Sequence, residues 1–310
     1  MKKNLNISII IPTKDRNEFL KKTIKNLLKY SFFFYEIIIV DSSSKKIQKL
    51  NKEVINKTKT KIKYFISKPS ISIQRNIGLK KISKKSNYVM FLDDDIIFFK
   101  YAFRNMLSFI RKNSHYAGIG FNLIIKQKQN FLLEKIKKNK IFTLLNIYNN
   151  KDGYVTKSGW HTKAINLKKD TEVKWLPTQA VIYNLENLKN SKFALQFGKY
   201  SYLEDLDFSY NIAKKHKLII CHSAKYYSDN DINRDSYFFG IKEIANRYYF
   251  VKKHYLSIVY FFIGCLLLTI KNLFSSLIYF KPKLFLRSAG NISSVLQIFI
   301  LNKKNFLLKI

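Results

Sequence analysis

Four short apolar runs, separated by stretches of helical period, constrain this chain more than any other feature of its sequence. Ile7 to Ile11 is isoleucine-rich, broken only by Ser8, and ends at Pro12, as a strand buried on both faces would. From Asn17 the apolar residues Phe19, Leu20, Ile24, Leu27 and Leu28 recur at three- and four-residue steps, the spacing of one buried helix face. Glu36 to Val40 reads as a second strand, and Asp41-Ser42-Ser43-Ser44 as a loop whose side chains suit the cap of a following helix. Lys61 to Ile66 reads as a third strand, Ile73 to Ile82 as a helix and Tyr88 to Leu92 as a fourth strand. Strands alternating with helices predict a right-handed parallel α/β sheet. No internal repeat and no Gly/Ser-rich or Pro-rich linker divides the chain.

Ligands of such sheets sit beyond the carboxyl ends of the strands. The residues there are Thr13, Lys14, Asp15 and Arg16 after the first strand, Asp41 after the second, and Asp93, Asp94 and Asp95 after the fourth. Three consecutive aspartates raise one another's pKa unless a cation intervenes. In an extended segment positions 93 and 95 project to the same side, so one can hold a divalent metal while the other takes a ribose hydroxyl or a metal-bound water. Hard oxygen ligands suit Mg²⁺ or Mn²⁺. The competing reading is a solvated turn that caps the helix near Tyr101 to Arg111.

The net charge of +37, from 57 basic and 20 acidic residues, raises the question of a polyanionic partner. Only seven of the basic residues are arginine, and the chain is equally rich in Asn, Ile, Phe and Tyr, the set that an A/T-rich coding bias would produce. Arginine is the preferred residue for bidentate phosphate and base recognition, so diffuse lysine argues against a nucleic-acid partner. A non-catalytic basic protein binding nucleic acid or an anionic surface is the alternative function that this charge keeps open. Cys221 and Cys265 stand 44 positions apart without a spaced His pair, which suggests neither a zinc site nor a structural disulfide and favours a reducing, cytosolic body. The run before Pro12 is too short for a secretory signal.

The C-terminal part differs in kind. Tyr255 to Ile270 carries no charge, a further apolar stretch follows Lys271, and no acidic residue follows Glu243, whereas ten Lys or Arg do. Sixteen helical residues reach about 24 Å at roughly 1.5 Å each, short of the roughly 30 Å hydrocarbon core. An in-plane or re-entrant membrane helix against an anionic leaflet is therefore favoured over a span, with a buried helix of a soluble domain as the competing reading. These patterns predict a catalytic domain over residues 1–240 and a basic, apolar, helical, membrane-associating region over 241–310.

ISIIIPTKDR, EIIIVDSSS, SIQRNIGL, YVMFLDDDI and YLEDLDFSY, in that order and with these gaps, resemble the family 2 glycosyltransferases over roughly residues 7 to 230. The resemblance implies the GT-A fold, a Rossmann-like mixed sheet flanked by helices, and inverting, metal-dependent glycosyl transfer of the hexosyltransferase type (EC 2.4 class). Pro12, Thr13 and Arg16 then lie under the nucleotide, Asp41 contacts its base or ribose, and Arg75 stands near the donor as a cationic fork. Asp93 and Asp95 match the DXD motif, with Asp95 the metal ligand, and Asp94 beside them faces the donor. Asp205 matches the catalytic base; a carboxylate at a helix N-terminus is kept ionised by the peptide dipoles and can deprotonate an acceptor hydroxyl. Glu204 would bind a sugar or acceptor hydroxyl, although capping alone accounts for the same acids. Trp160, Trp175, Thr178 and Gln179 resemble acceptor-side segments, and either Trp suits a sugar face or a core equally.

The chain departs from the family pattern at three places. Ser42 stands where many relatives carry a second acid, Thr178-Gln179-Ala180 replaces glycine-containing text, and Ser228 falls where a metal-binding histidine is common. His222 is the substitute the sequence offers for that histidine, and Arg234 a spare contact for the diphosphate. The expected partners are a nucleotide-sugar donor, a glycan or lipid-linked acceptor used in surface polysaccharide biosynthesis, and an anionic membrane surface, with no nucleic acid. The expected location is the cytoplasmic face of a membrane, peripheral or monotopic.

Overall fold

The computed structural model describes residues 5–58, 61–125, 140, 143, 147–198, 201–228 and 236–300. These divide into two compact units: one takes in the described parts of Met1–Ile125, Ala164–Leu195 and Lys199–Asp231, the other those of Lys126–Lys163, Gln196–Gly198 and Ile232–Ile310. Segment 147–163, on the N-terminal side of the division expected at residue 240, thus goes with the C-terminal helices.

The first unit is built on a mixed sheet of nine strands among the described residues. They are β1 (Ile7–Thr13), β2 (Glu36–Asp41), β3 (Ile62–Ile66), β4 (Tyr88–Leu92), β5 (Ile96–Phe98), β6 (Gly118–Leu123), β7 (Thr171–Val173), β8 (Ala180–Asn184) and β9 (Leu218–Ser228). Between them run α1 (Asn17–Leu28), α2 (Lys45–Asn56), α3 (Ile71–Lys81), α4 (Ala102–Lys112) and α5 (Glu204–Ala213). The spatial order is β3-β2-β1-β4-β8-β6-β9-β5, with β7 paired to β9. The four strands legible in the sequence form the parallel half, and β8 lies antiparallel to β4, which makes the sheet mixed as the family pattern implies.

Alternate residues of the central strands feed two cores. Ile9, Ile11, Ile37, Ile39, Met90 and Leu92 join Leu20, Ile24 and Leu27 of α1 and Met106 and Ile110 of α4 on one face. Ile10, Ile38, Val40, Val89 and Phe91 meet Phe193, Phe208 and Ile212 on the other. Burial on both faces is why these strands read as continuous apolar runs rather than as alternating ones.

Strand β1 runs two residues further than expected, through Pro12 to Thr13. Pro12 is in register with Val40 of β2, but β1 pairs with β4 only as far as Ile10, so the proline lies where that side of the strand is no longer laddered. Because β2 and β3 lie to one side of β1 and β4 to the other, the strand order reverses here, and a crevice opens at the carboxyl ends of β1 and β4.

The second unit contains α6 (Tyr237–Lys253), α7 (Ile258–Ile278) and α8 (Pro282–Ile300). Helix α7 extends well past the charge-free run ending at Ile270. A Cβ on Gly240 of α6 would stand 2.2 Å from the Arg287 carbonyl of α8, and one on Gly290 of α8 would stand 2.1 Å from the Tyr237 carbonyl of α6. Only glycine lets these two backbones cross so closely. Glu243 of α6 accepts both arms of the Arg287 guanidinium at 2.8 and 2.9 Å.

Candidate active site

Two acid clusters meet in the crevice through one arginine. Arg75, 1% exposed, donates from Nη1 to Glu204 Oε1 at 2.8 Å and from Nη2 to Asp93 Oδ1 at 2.9 Å. The fork therefore joins the segment after β4 to the first residue of α5. Arg75 reaches this position because α3 lies almost against β1: a Cβ on Gly78, one turn later, would stand 2.4 Å from Ile10 Cγ2. Gln74 fixes the same helix by donating its amide to the Thr13 and Val40 carbonyls at 2.8 and 2.7 Å, which binds the ends of β1 and β2 together.

The aspartate triplet is shared out by direction. Asp94 Oδ2 accepts from Thr13 Oγ1 at 2.6 Å, and its carbonyl accepts from Thr23 of α1 at 2.8 Å. Arg16 spans the next pair, with Nη1 2.8 Å from Asp94 Oδ1 and Nη2 2.9 Å from Asp95 Oδ2. Its guanidinium also lies 4.5 Å over the Phe19 ring. The second carboxylate oxygen of Asp95, Oδ1, is buried and has no hydrogen-bond partner among the described residues. A buried carboxylate oxygen without a donor is an acceptor that a cation, a water or a ligand hydroxyl would satisfy. Asp94 and Asp95 lie in a turn, but it is buried and leads into β5 rather than capping α4, so the solvated-cap reading of these acids does not apply.

Burial dominates the electrostatics of this cluster. It pushes Asp93 up to about 6 against the pull of Arg75, with Asp95 adding to the rise. It pushes Asp94 up to about 7, with Arg16 and the Thr13 hydrogen bond acting against it. Glu204 is raised by burial and by Asp205, opposed by Arg75.

Asp205 stands in the first turn of α5, less buried than Glu204, and accepts from the Leu206 N–H at 2.8 Å. The preceding Leu203 takes a left-handed backbone at φ 75°, an uncommon conformation for a non-glycine residue that turns the chain sharply into the helix. Ser209, one turn on, donates to the Asp205 carbonyl and accepts from the Leu176 N–H, which ties the Trp175–Leu176 segment to α5. The Asp93 N–H donates to the Gln179 carbonyl at 3.0 Å, which brings that residue to the crevice beside the buried Thr178.

Other expected residues are placed differently. Asp41 is fully buried, its carboxylate accepting from the Ser43 N–H, Asn51 Nδ2 and Tyr64 Oη at 2.6 to 2.7 Å. It holds the loop after β2 from within. Ser44 occupies the N-cap position of α2 without a side-chain cap bond; its N–H instead donates to Asp15, the left-handed residue of the loop after β1. Trp175 is buried in the first unit. Trp160 belongs to the core of the second, with the Arg247 guanidinium 4.5 Å over its ring and Gly264 against its edge. For Trp160 the core reading prevails over a sugar-stacking one.

Ser228 is in register with Ile96, directly after Asp95, so the departure from the family's histidine falls beside the candidate metal ligand. His222 is engaged elsewhere: it lies in the bulge of β9, six residues before Ser228, with Nδ1 2.8 Å from Asp170. Arg234 lies outside the described residues. Among the described residues no three His, Cys, Asp or Glu side chains converge as a metal cage. Gln74, Thr23, Asn51 and Tyr64 are the positioning residues that the sequence reading missed; the alternation of β3 could have flagged Tyr64 as inward.

The model of glycosyl transferase family 2 matches residues 8–171, and the chain belongs to that family. It is 30% identical over 131 residues to a Campylobacter jejuni GalNAc(5)-diNAcBac-PP-undecaprenol beta-1,3-glucosyltransferase, covering 41% of each chain. It is 26% identical over 213 residues to the minor teichoic acid biosynthesis protein GgaA of Bacillus subtilis strain 168, covering 63% of this chain and 46% of that one. The chain thus spans less than half the length of these two relatives. Among solved structures it resembles GalNAc-T7 with UDP, GalNAc and Mn²⁺, at a TM-score of 0.56 and 14% identity over 74% of this chain and 44% of that one. That likeness identifies the fold, the GT-A fold.

Proposed function

We propose that this chain is an inverting glycosyltransferase that moves a sugar from a nucleotide-diphosphate donor to a hydroxyl of a glycan or lipid-linked acceptor, in surface polysaccharide biosynthesis at the cytoplasmic face of a membrane. The observation that carries this reading is the Arg75 fork, which holds the acids after β4 and the acid-bearing start of α5 around one crevice. Thr13, Arg16 and Asp94 form the floor on which the donor diphosphate and ribose rest. The orphaned Oδ1 of Asp95, with Asp93 nearby, fits Mg²⁺ or Mn²⁺, which take one or two carboxylates and complete their shell with diphosphate and water oxygens. Bound there, the ion supplies neutralisation of the departing diphosphate charge.

Asp205 takes the proton of the acceptor hydroxyl. The hydroxyl oxygen bonds to the anomeric carbon from the face opposite the diphosphate, and the bond between that carbon and the diphosphate oxygen breaks with its electron pair leaving on the phosphate. Single displacement inverts the anomeric centre. Glu204, gripped by Arg75, orients a sugar or acceptor hydroxyl beside Asp205. The printed names of the relatives, one acting on an undecaprenol-diphosphate glycan and one in teichoic acid biosynthesis, support an acceptor of the glycan or lipid-linked class.

Thermal melting of the full chain with Mn²⁺ and a panel of nucleotide-diphosphate sugars tests donor binding. One or more donors should raise the melting temperature of the native protein and not of Asp95→Asn; a panel without any effect on the native protein contradicts the reading.

A further inference from the structure

Beside a small apolar core that takes in Phe261, Cys265, Leu268 and Ile298, helices α7 and α8 bury polar residues and turn large apolar ones outward. Their buried residues include Asn272, Ser275 and Ser276 on α7 and Ser288, Asn291 and Ser294 on α8. Their exposed residues include Leu266, Phe274 and Leu277 on α7 and Phe285, Leu296 and Phe299 on α8, with Leu277 71% and Phe280, at the turn between them, 90% exposed. On each helix these outward residues fall within one face of the 3.6-residue period. A protein facing water turns its large apolar residues in; helices that meet through Ser, Asn and Gly while showing leucine and phenylalanine outward are built for a medium as apolar as lipid.

Charge says how such a pair sits. The stretch from Ile258 to Ile270 is free of charge and reaches about 20 Å, less than the roughly 30 Å hydrocarbon core. Lys252 and Lys253 precede it; Lys271, Lys281 and Lys283 follow it, and no acid after Glu243 balances them. Helix α7 as a whole is long and apolar enough to cross a membrane by length and composition, but a crossing places Lys271 at depth. Each helix also exposes a single stripe rather than its whole circumference, and the other side of α8 is closed by α6 through the Gly240 and Gly290 crossing and the Glu243–Arg287 pair.

We infer that the α7–α8 hairpin lies in the plane of one leaflet of an anionic phospholipid bilayer, its outward stripe of leucine and phenylalanine embedded among the acyl chains and its lysines at the headgroups. This deepens the membrane location proposed above by naming the contact as hydrophobic insertion rather than adsorption of a basic surface. It fails or stands independently of sugar transfer, because the readout is lipid contact.

The full chain is bound to vesicles of phosphatidylethanolamine and phosphatidylglycerol after single replacement of Leu266, Leu277, Leu296 or the exposed Lys283 by Cys and attachment of an environment-sensitive fluorophore; the native cysteines are buried. Labels at 266, 277 and 296 should be quenched several-fold by acyl-chain spin labels and the label at 283, at the headgroups, should not. The protein should stay with the vesicles in about 1 M salt, where the Debye length falls to roughly 3 Å. Release by that salt, or quenching absent at all three outward positions, overturns the inference. So does a shielded stripe in a lipid-free dimer, which would make a second copy its cover. Labelling of Phe280→Cys by an impermeant thiol reagent trapped inside the vesicles would show a span and overturn the in-plane placement.

Discussion

Arg75 Nη1 and Glu204 Oε1 lie 2.8 Å apart in the interior of the first unit, so a residue of α3 and the first residue of α5, 129 positions later, are joined by a buried ion pair. The second arm of the same guanidinium reaches Asp93. Removing one partner of a buried pair leaves the other charge uncompensated, at a cost of about 3–5 kcal/mol. Arg75→Ala should therefore lower unfolding stability by about that amount in urea titration, and Arg75→Lys, which keeps the charge but loses the fork, by less. A change within experimental error for Arg75→Ala would show that the fork is not a structural tie.

The acid triplet sets a pH dependence of stability. Asp93 and Asp94 hold their protons in the folded protein up to about 6 and about 7, whereas an unfolded aspartate releases its proton near 3.9. Between those values the folded state binds more protons, so stability falls as pH rises from about 4 to about 7. Glu36 is shifted the opposite way, lowered by Lys63 and by hydrogen bonds from Ser83 and Ser8 against its burial, so its stabilisation is lost only as pH falls below the usual glutamate range. Thermal melts in chelator from pH 5 to 7.5 should show a falling melting temperature, and Asp94→Asn should flatten the slope.

Gly78 holds α3 against β1. A methyl group there meets Ile10 Cγ2 at 2.4 Å, and forcing the two apart costs about 1–3 kcal/mol of overpacking, more than the roughly 1 kcal/mol that alanine gains over glycine inside a helix. Gly78→Ala should lower the melting temperature and, by shifting Arg75, lower kcat. Unchanged stability would show that Ile10 yields without cost.

Much of this arrangement was written in local pattern. β1, β2 and β4 are buried on both faces, so their runs stand out, and polar or acidic residues of the site follow them directly, whereas β3 is only half-buried. The antiparallel strands were less legible: β7 has three residues, and β9 carries a bulge opposite Phe121 and Asn122 that breaks its alternation. Asp41 illustrates the limit at the site. Its position after β2 was visible, but that Asn51 and Tyr64 turn its carboxylate inward depends on contacts 10 and 23 residues away. Trp160 was ambiguous for a similar reason, because the Arg247 that covers its ring stands 87 residues on, in α6.

Tyr64 offers a check on that inward role. Tyr64→Phe removes a hydrogen bond to a buried charged acceptor, an interaction worth about 1.5–3 kcal/mol. The variant should lose stability in that range in urea titration while its KM for donor stays within about twofold, since the carboxylate keeps Asn51 and Ser43. A selective rise in KM would instead assign Asp41 to the nucleotide.

Transfer or hydrolysis of a donor panel by the native chain, Asp205→Asn and Asp95→Asn, with Mn²⁺ and a lipid-linked or glycan acceptor, tests the central claim most directly. With Asp205 as the base, at least one donor is turned over by the native protein, and Asp205→Asn lowers kcat by about 10²–10⁴-fold while the donor still binds. Asp95→Asn weakens the dependence on Mn²⁺ together with turnover. Full turnover by Asp205→Asn, or turnover of no donor by the native chain, would contradict the account.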